Sequence, residues 1–184
     1  MTVPGPTLET ERLILRPPAM EDFERWADFQ ADPETTLFIG GARSPAEVWR
    51  VIMSVAGAWA LTGAGFFSVI EKSSGRWIGR IGPWFPHDWP GAEVGWSLHR
   101  DAMGRGYALE ASAATMDYAF DVLGWDDVIH SIAPENTASQ ALAARLGSAN
   151  RGPGRLPPPF EDSPVDIWGQ TRAEWASNRL RLSR

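Results

Sequence analysis

The chain has 184 residues with 17 Lys+Arg against 23 Asp+Glu, a formal net charge of −6, and lacks the basic run or patch that binding to nucleic acid requires. With 43% hydrophobic and 22% charged residues, and no apolar stretch near the ~20 residues of a membrane span, the composition excludes a disordered or membrane-embedded chain and fits one globular domain over residues 1–184. The absence of Cys removes disulfides and thiol chemistry, and three dispersed His (His87, His99, His130) do not make an ordinary metal site. Met1 to Thr10 holds no basic-then-apolar leader, so the expected compartment is the cytoplasm. Ten Trp are read first as packing residues.

Thr7 to Arg16 alternates around Leu13 and Leu15 and predicts one strand, closed by Pro17-Pro18. Met20, Phe23, Trp26 and Phe29 recur at helical spacing from Ala19 to Ala31, and Asp32-Pro33 ends that helix. Ser44-Pro45-Ala46-Glu47 combines an N-cap hydroxyl, a first-turn Pro and a Glu that reaches back, predicting a second helix with Val48, Val51, Ile52, Val55 and Trp59 inward. Phe66 to Ile70 and Trp77 to Gly82, joined by Ser73-Ser74-Gly75, read as a hairpin, and Pro83 to Gly91 as a loop. Glu93 to Leu98 is a short strand. A long helix ending at Gly124, a buried strand from Asp127 to Ala133, and a helix capped by Asn136 and stopped by Gly147 follow. Ser148 to Ser163, rich in Pro and Gly, reads as a loop or irregular edge strand; Val165 to Gly169 is a last strand, before a terminal helix opened by Thr171 and Glu174. The alternation argues for an α/β architecture.

The segment with most chemical content is Met103-Gly104-Arg105-Gly106-Tyr107-Ala108, between a strand and a helix. Two Gly let main chain approach an anion, and the helix start offers unpaired N–H groups and the positive end of its dipole. A tight connection with no ligand accounts for the same spacing. A dinucleotide fingerprint needs a third Gly where Leu109 stands, and no Gly-Lys-Ser/Thr of a phosphate loop occurs, so NAD and ATP are disfavoured.

Glu93-Val94-Gly95-Trp96-Ser97-Leu98-His99, followed by Gly104-Arg105-Gly106-Tyr107-Ala108-Leu109-Glu110-Ala111, resembles the acyl-CoA-binding segment of the GNAT superfamily of N-acyltransferases. A second signature runs from Asp127 through Ala133 to Glu135-Asn136-Thr137-Ala138-Ser139 and Leu146-Gly147. Leu8 to Arg16, Gly75 to Gly79 and Ile167 to Trp175 extend the likeness, which is nearest to the branch of ribosomal-protein N-terminal acetyltransferases. Two departures stand out: Asp101 replaces the Gln or Arg that opens the family's glycine pattern, and Ser148 replaces the aromatic residue after Leu146-Gly147. Arg100 and Arg105 are candidates to supply the missing charge.

The resemblance implies a mixed, mainly antiparallel twisted sheet flanked by helices, a strand that ends in a bulge, and acetyl-CoA as acyl donor. Main chain around Met103, Gly104, Arg105, Gly106, Tyr107 and Ala108 would hold the pyrophosphate. Trp96, Ser97, Leu98, Asn136 and Ser139 would flank the pantetheine where two strands splay apart, with the Ser97 or Leu98 N–H polarising the thioester carbonyl. Glu93 is the candidate base and Ser139 the candidate acid for the leaving thiolate. Their plain alternatives are a solvent-facing strand carboxylate and a helix-start hydrogen bond. Tyr107 and His130 read as packing residues, Glu110 as a partner of the helix dipole, and Glu135 as a fallback base.

The acceptor pocket is expected between Phe38 to Ser44 and Trp84 to Pro90, where Trp84, Phe85, His87, Asp88 and Trp89 crowd together; the acidic chain mildly favours a cationic acceptor. The expected reaction acetylates a primary amine of a small molecule or amino-acid derivative. N-terminal acetylation of a protein or peptide, and a non-catalytic acyl-CoA sensor, are the alternatives. Exposed strand edges and Pro157 to Pro159 are where a homodimer contact would form.

Overall fold

A computed structural model describes residues 3–182, so Met1 and Thr2 of the leader reading and the last two residues of the 1–184 span lie outside the described residues. Eight strands form one sheet in the order β1-β2-β3-β4-β5-β6-β8-β7. They are β1 (Leu8–Glu9), β2 (Leu13–Arg16), β3 (Phe67–Glu71), β4 (Trp77–Trp84), β5 (Glu93–Leu98), β6 (Asp127–Ile132), β7 (Ala149–Gly154) and β8 (Val165–Thr171). Every pairing is antiparallel except β5 with β6. The helices are α1 (Phe23–Ala31), α2 (Pro33–Thr36), α3 (Pro45–Thr62), α4 (Tyr107–Asp121), α5 (Thr137–Leu146) and α6 (Arg172–Leu182). The mixed, mainly antiparallel α/β architecture is the one expected.

The caps read from the sequence are made. Glu47 Oε2 accepts from the Ser44 N–H at 2.8 Å, and Glu174 Oε2 accepts from the Thr171 N–H at 2.7 Å, each satisfying a group that a helix start leaves without a partner. Asn136 Oδ1 accepts from the Ser139 N–H at 3.1 Å. Gly147, at φ 93°, ends α5 in the left-handed region that a Cβ would penalise.

Two local expectations change and one alternative is decided. Thr7 to Arg16 is two strands rather than one, because the chain turns back at Thr10, whose N–H bonds the Leu13 carbonyl, and β1 pairs with β2. β4 runs two residues into the anticipated loop, to Trp84, since Pro83 and Trp84 still pair with β5. Ala149–Gly154 is the irregular edge strand anticipated as one alternative, with its register shifted between Asn150 and Pro153; an edge position tolerates Gly152 and Pro153 because its outer N–H groups face no partner.

Two apolar clusters flank the sheet. One gathers β2, β3 and β4 with α1 and α3, where Trp26 stacks on Trp77 at 5.4 Å between centroids. The other joins Val94 and Val128 with Met116, Phe120, Leu146 and Trp175 from α4, α5 and α6. Between them, β5 and β6 register only at Glu93 with Ile129 and then part, which sets the site.

Candidate active site

The gap between β5 and β6 follows from where their main-chain groups point. The Ile129 N–H bonds the Ala92 carbonyl at 2.9 Å, but the next outward carbonyl of β5, that of Val94, is met by a side chain, His130 Nδ1 at 2.7 Å. Beyond it the strands diverge, while β6 pairs with β8 along its whole length. The His99 N–H turns the other way, to the Ile78 carbonyl on the β4 side. Main-chain groups alternate sides along a strand, so Trp96 and Leu98 present theirs to the gap and Ser97 presents its own to β4. The expected bulge is absent: β4 and β5 stay in continuous register from Gly79 with Leu98 to Trp84 with Glu93. Divergence alone opens the sheet.

On one side of the gap lies a groove of about 480 Å³. Trp96, Ser97, Leu98, Met103, Gly104, Gly106, Tyr107, Ala108, Asn136 and Ser139 all line it. Gly104 and Gly106 have φ of 72° and 81°, and a Cβ on Gly104 would meet nothing within 4 Å, so the loop is glycine for its backbone conformation and leaves open space beside it. No side chain caps the 15-residue α4, whose first-turn N–H groups therefore face the groove unpaired by any cap. These features fit a pyrophosphate.

Arg105 is the exception among the expected groove residues. Its guanidinium pairs with Glu71 Oε1 at 3.1 Å and lies over the Tyr107 ring, its carbonyl accepts from Arg12, and it does not line the groove. Arg100 is likewise held by Asp32 and Glu34, and Asp101 by Arg25. Neither Arg compensates for Asp101; Arg145 of α5 is the cation that does line the groove. Tyr107 donates to Glu71 at 2.6 Å and is a packing residue, while Glu110 holds the β1–β2 turn through Thr10 and the Arg12 N–H.

On the other side lies a cavity of about 510 Å³. It shares Phe38, Ile39, Trp96, Ser97, Asn136 and Ser139 with the groove, so the two meet at a common throat. Glu93 stands on its wall, buried rather than solvent-facing. Trp89 Nε1 donates to Glu93 Oε2 at 2.6 Å and Ser131 Oγ donates to the same oxygen at 2.8 Å. Burial raises the Glu93 pKa above the ordinary carboxylate value, against the lowering effect of those donors. Both side-chain donors meet Oε2, and no side-chain donor meets Oε1 among the described residues.

At the throat, Trp96 Nε1 donates to Ser139 Oγ at 3.2 Å. Indole has no acceptor, so the serine proton remains free to be donated. Asn136 both caps α5 and lines the throat. Of the crowded aromatic loop only Trp84 and Trp89 reach the cavity; Phe85 packs on Trp125, and His87 and Asp88 are exposed. Glu135 lines the cavity as well.

His130 is a core residue, 1% exposed, bridging the Val94 carbonyl and Ser148 Oγ at 3.0 Å. Desolvation lowers its pKa from 6.5 to about 4, which leaves the ring neutral: Nδ1 donates to Val94 and Nε2 accepts from Ser148. Ser148 in turn accepts from Gln170 Nε2 at 2.9 Å. The serine that departs from the family pattern thus completes a buried polar chain that ends on β5.

Two features were not read from the sequence. Arg80 of β4 lines the cavity, and Leu156, Phe160 and Ser163 to Val165 close one side of it. A basic residue at an inward position of an otherwise apolar strand was the available signal for Arg80. Among the described residues no group of three or more His, Asp or Glu is placed to hold a metal, and no helix is long and apolar enough to cross a membrane.

Comparison with known proteins places this geometry. Residues 12–149 match the family model described as an acetyltransferase (GNAT) domain. The chain is 32% identical over 149 residues to the uncharacterized N-acetyltransferase p20 of Bacillus licheniformis, covering 79% of this chain and 84% of that one. An acetyltransferase from Agrobacterium tumefaciens shares the fold with a TM-score of 0.79 at 32% identity, covering 94% of this chain and 98% of the other. The ribosomal-protein-S5-alanine acetyltransferase of Vibrio fischeri shares the fold alone, with a TM-score of 0.72 at 18% identity over 92% and 98% of the two chains. A sheet parted at β5 and β6, a glycine turn opening an uncapped helix, and these matches together make the chain an acyltransferase of the GNAT acetyltransferase family.

Proposed function

We propose that the protein transfers an acetyl group from acetyl-CoA to a primary amine of a small molecule or amino-acid derivative, by direct attack within a ternary complex. The observation that carries this reading is the shared throat: a groove suited to an acyl-CoA and a cavity holding a buried carboxylate open onto the same Trp96, Asn136 and Ser139. Acetyl-CoA supplies an acetyl thioester, and the first-turn N–H groups of α4 with the Gly104 to Gly106 main chain bind its pyrophosphate.

The amine nitrogen attacks the carbonyl carbon, the C–S bond breaks, and two protons must be placed. Glu93 Oε1 takes the ammonium proton, directly or through water; its raised pKa makes it a stronger base than an exposed carboxylate. Ser139 Oγ–H donates to the departing thiolate and the proton taken up by Glu93 returns through water to the serine oxygen, so one proton moves in net from nitrogen to sulfur. The Trp96 and Leu98 N–H groups face the gap and are the candidates to stabilise the developing oxyanion, in place of Ser97.

Calorimetry of acetyl-CoA against the protein and Gly104→Val, followed by an amine screen for thiol release, tests the reading. Micromolar binding that the valine abolishes, and turnover that Glu93→Gln lowers about 10²-fold or more without loss of donor binding, are expected. Absence of acetyl-CoA binding to the unmodified protein would overturn the reading.

A further inference from the structure

The cavity that holds Glu93 also holds two cations, Arg80 and Arg43, that form no ion pair within 4 Å among the described residues. The side chain of Arg80, in the middle of β4, makes neither a hydrogen bond nor an ion pair within 4 Å among the described residues, and its Nε is buried and unpartnered. Its guanidinium lies 4.4 Å over the Phe66 ring, and Phe66 in turn stacks on Trp84 at 5.2 Å. Arg43, on the loop before α3, lines the same cavity and ion-pairs with no carboxylate within 4 Å among the described residues. Burial lowers the Arg80 pKa to about 10, repulsion from Arg43 adds to that, and attraction to Glu93 opposes it. Glu93 attracts Arg80 less than Arg43 repels it, and neither guanidinium has a carboxylate within ion-pair distance among the described residues, so two like charges in one pocket are incompletely compensated in the absence of a ligand.

The sheet register explains the layout. Arg80 pairs with Ser97 and Trp84 with Glu93, so Arg80, Gly82 and Trp84 share one face with Glu93, Gly95 and Ser97. Gly82 and Gly95 oppose each other at the centre, where a Cβ on Gly95 would come within 3.0 Å of the Phe66 ring. Phe66 therefore forms a floor over two glycines, with the guanidinium on one side and the carboxylate on the other. The cavity is a dipole: cationic at Arg80 and Arg43, anionic at Glu93.

Resting on the acetyltransferase reading, we propose that Arg80 and Arg43 bind an anionic group, a carboxylate or a phosphate, carried by the acceptor, whose amine is thereby directed toward Glu93. The acceptor is then an amine with an acid on the same small molecule, an amino acid or a near relative. The net charge of −6 attracts cations at long range. Within the pocket the local pair of guanidinium groups decides, because it is desolvated and screened less.

The test compares amino carboxylates, spanning short and long amine-to-acid spacing, with their uncharged carboxamides and with amino phosphonates. Thiol release is measured with wild type, Arg80→Met and Arg43→Gln. In wild type kcat/KM is expected to favour the best acid over its carboxamide by about ten- to hundredfold, the worth of one or two charge-assisted hydrogen bonds. In Arg80→Met that ratio falls to near one, and the phosphonate arm tells carboxylate from phosphate recognition. A wild type that uses carboxamides as well as acids, or a ratio that survives both substitutions, would overturn the proposal. Arg43→Gln, at a partly exposed position, keeps the test available if Arg80→Met does not fold.

Failure of the acetyltransferase reading registers separately, as absent acetyl-CoA binding. The anion site is then tested in the resting protein by titrating the same amino carboxylates, and inorganic phosphate, against Trp fluorescence, since Trp84, Trp89 and Trp96 line the cavity. Saturable quenching in wild type that is lost in Arg80→Met supports the site, and no quenching by any anion refutes it.

Discussion

Acidification should unlock the buried bridge that ties β5 and β6 to Ser148. His130 has an ordinary pKa of 6.5 and a folded value of about 4, because burial disfavours the imidazolium. The folded state therefore binds fewer protons than the unfolded one. The stability this contributes is complete above pH 6.5 and is lost as pH falls toward 4. With 1.36 kcal/mol per unit, the full loss is about 3 kcal/mol, of which about 2 kcal/mol is lost by pH 5. Protonation also forces Nε2 to become a donor, so it no longer accepts from Ser148. Urea unfolding at pH 8, 6.5 and 5, followed by Trp fluorescence, gives the slope. The same series in His130→Gln cancels the carboxylates that titrate in both proteins, among them Glu93, whose raised pKa acts in the opposite direction. The wild type should lose about 2 kcal/mol more than the variant between pH 8 and pH 5. Equal losses in the two proteins would refute a neutral buried His130.

Three further outcomes are expected. The acidic limb of the kcat/KM profile should lie above the ordinary carboxylate range because Glu93 must be ionised to act, and Glu93→Gln should abolish that limb; a limb unchanged in the variant would remove Glu93 from the base role. Ser139→Ala should lower kcat about 10- to 100-fold with acetyl-CoA affinity within about threefold, measured by steady-state kinetics beside calorimetry; a fall in affinity alone would make the hydroxyl a binding group. Gly79→Ala would place a Cβ 2.4 Å from the Ser97 carbonyl and 2.7 Å from Leu98 Cδ2, so denaturation should show a loss of roughly 2–3 kcal/mol. A change below about 0.5 kcal/mol would show that β4 and β5 separate easily.

What could be read without coordinates was local chemistry at element ends. Ser44 with Glu47, Thr171 with Glu174, and Asn136 before Gly147 declare their helices because each cap is a contact between near neighbours in sequence. The strand Glu93–Leu98 and the glycine turn were visible for the same reason, and their surroundings follow the resemblance. What stayed hidden depends on distant partners. Whether Arg105 faces the groove is decided by Glu71, and whether Glu93 is buried by Trp89 and Ser131. Arg80 could be assigned no role until Phe66 and Arg43 were known to share its cavity. The bulge was carried over from the family, and this chain opens its sheet without one.

The strand order has a consequence for synthesis. β8, nearly last in the chain, lies between β6 and β7 and pairs with β6 at six consecutive positions. Until residues 165–171 leave the ribosome, β6 has an open edge beside the gap that faces β5, and such edges are templates for misassembly. The family match ends at residue 149, yet a chain cut there would lack the strand that seals the site's far wall. Residues 150–182 thus act as a late clasp: the site's far wall exists only once β8 has emerged, and shorter nascent chains are the ones exposed to aggregation.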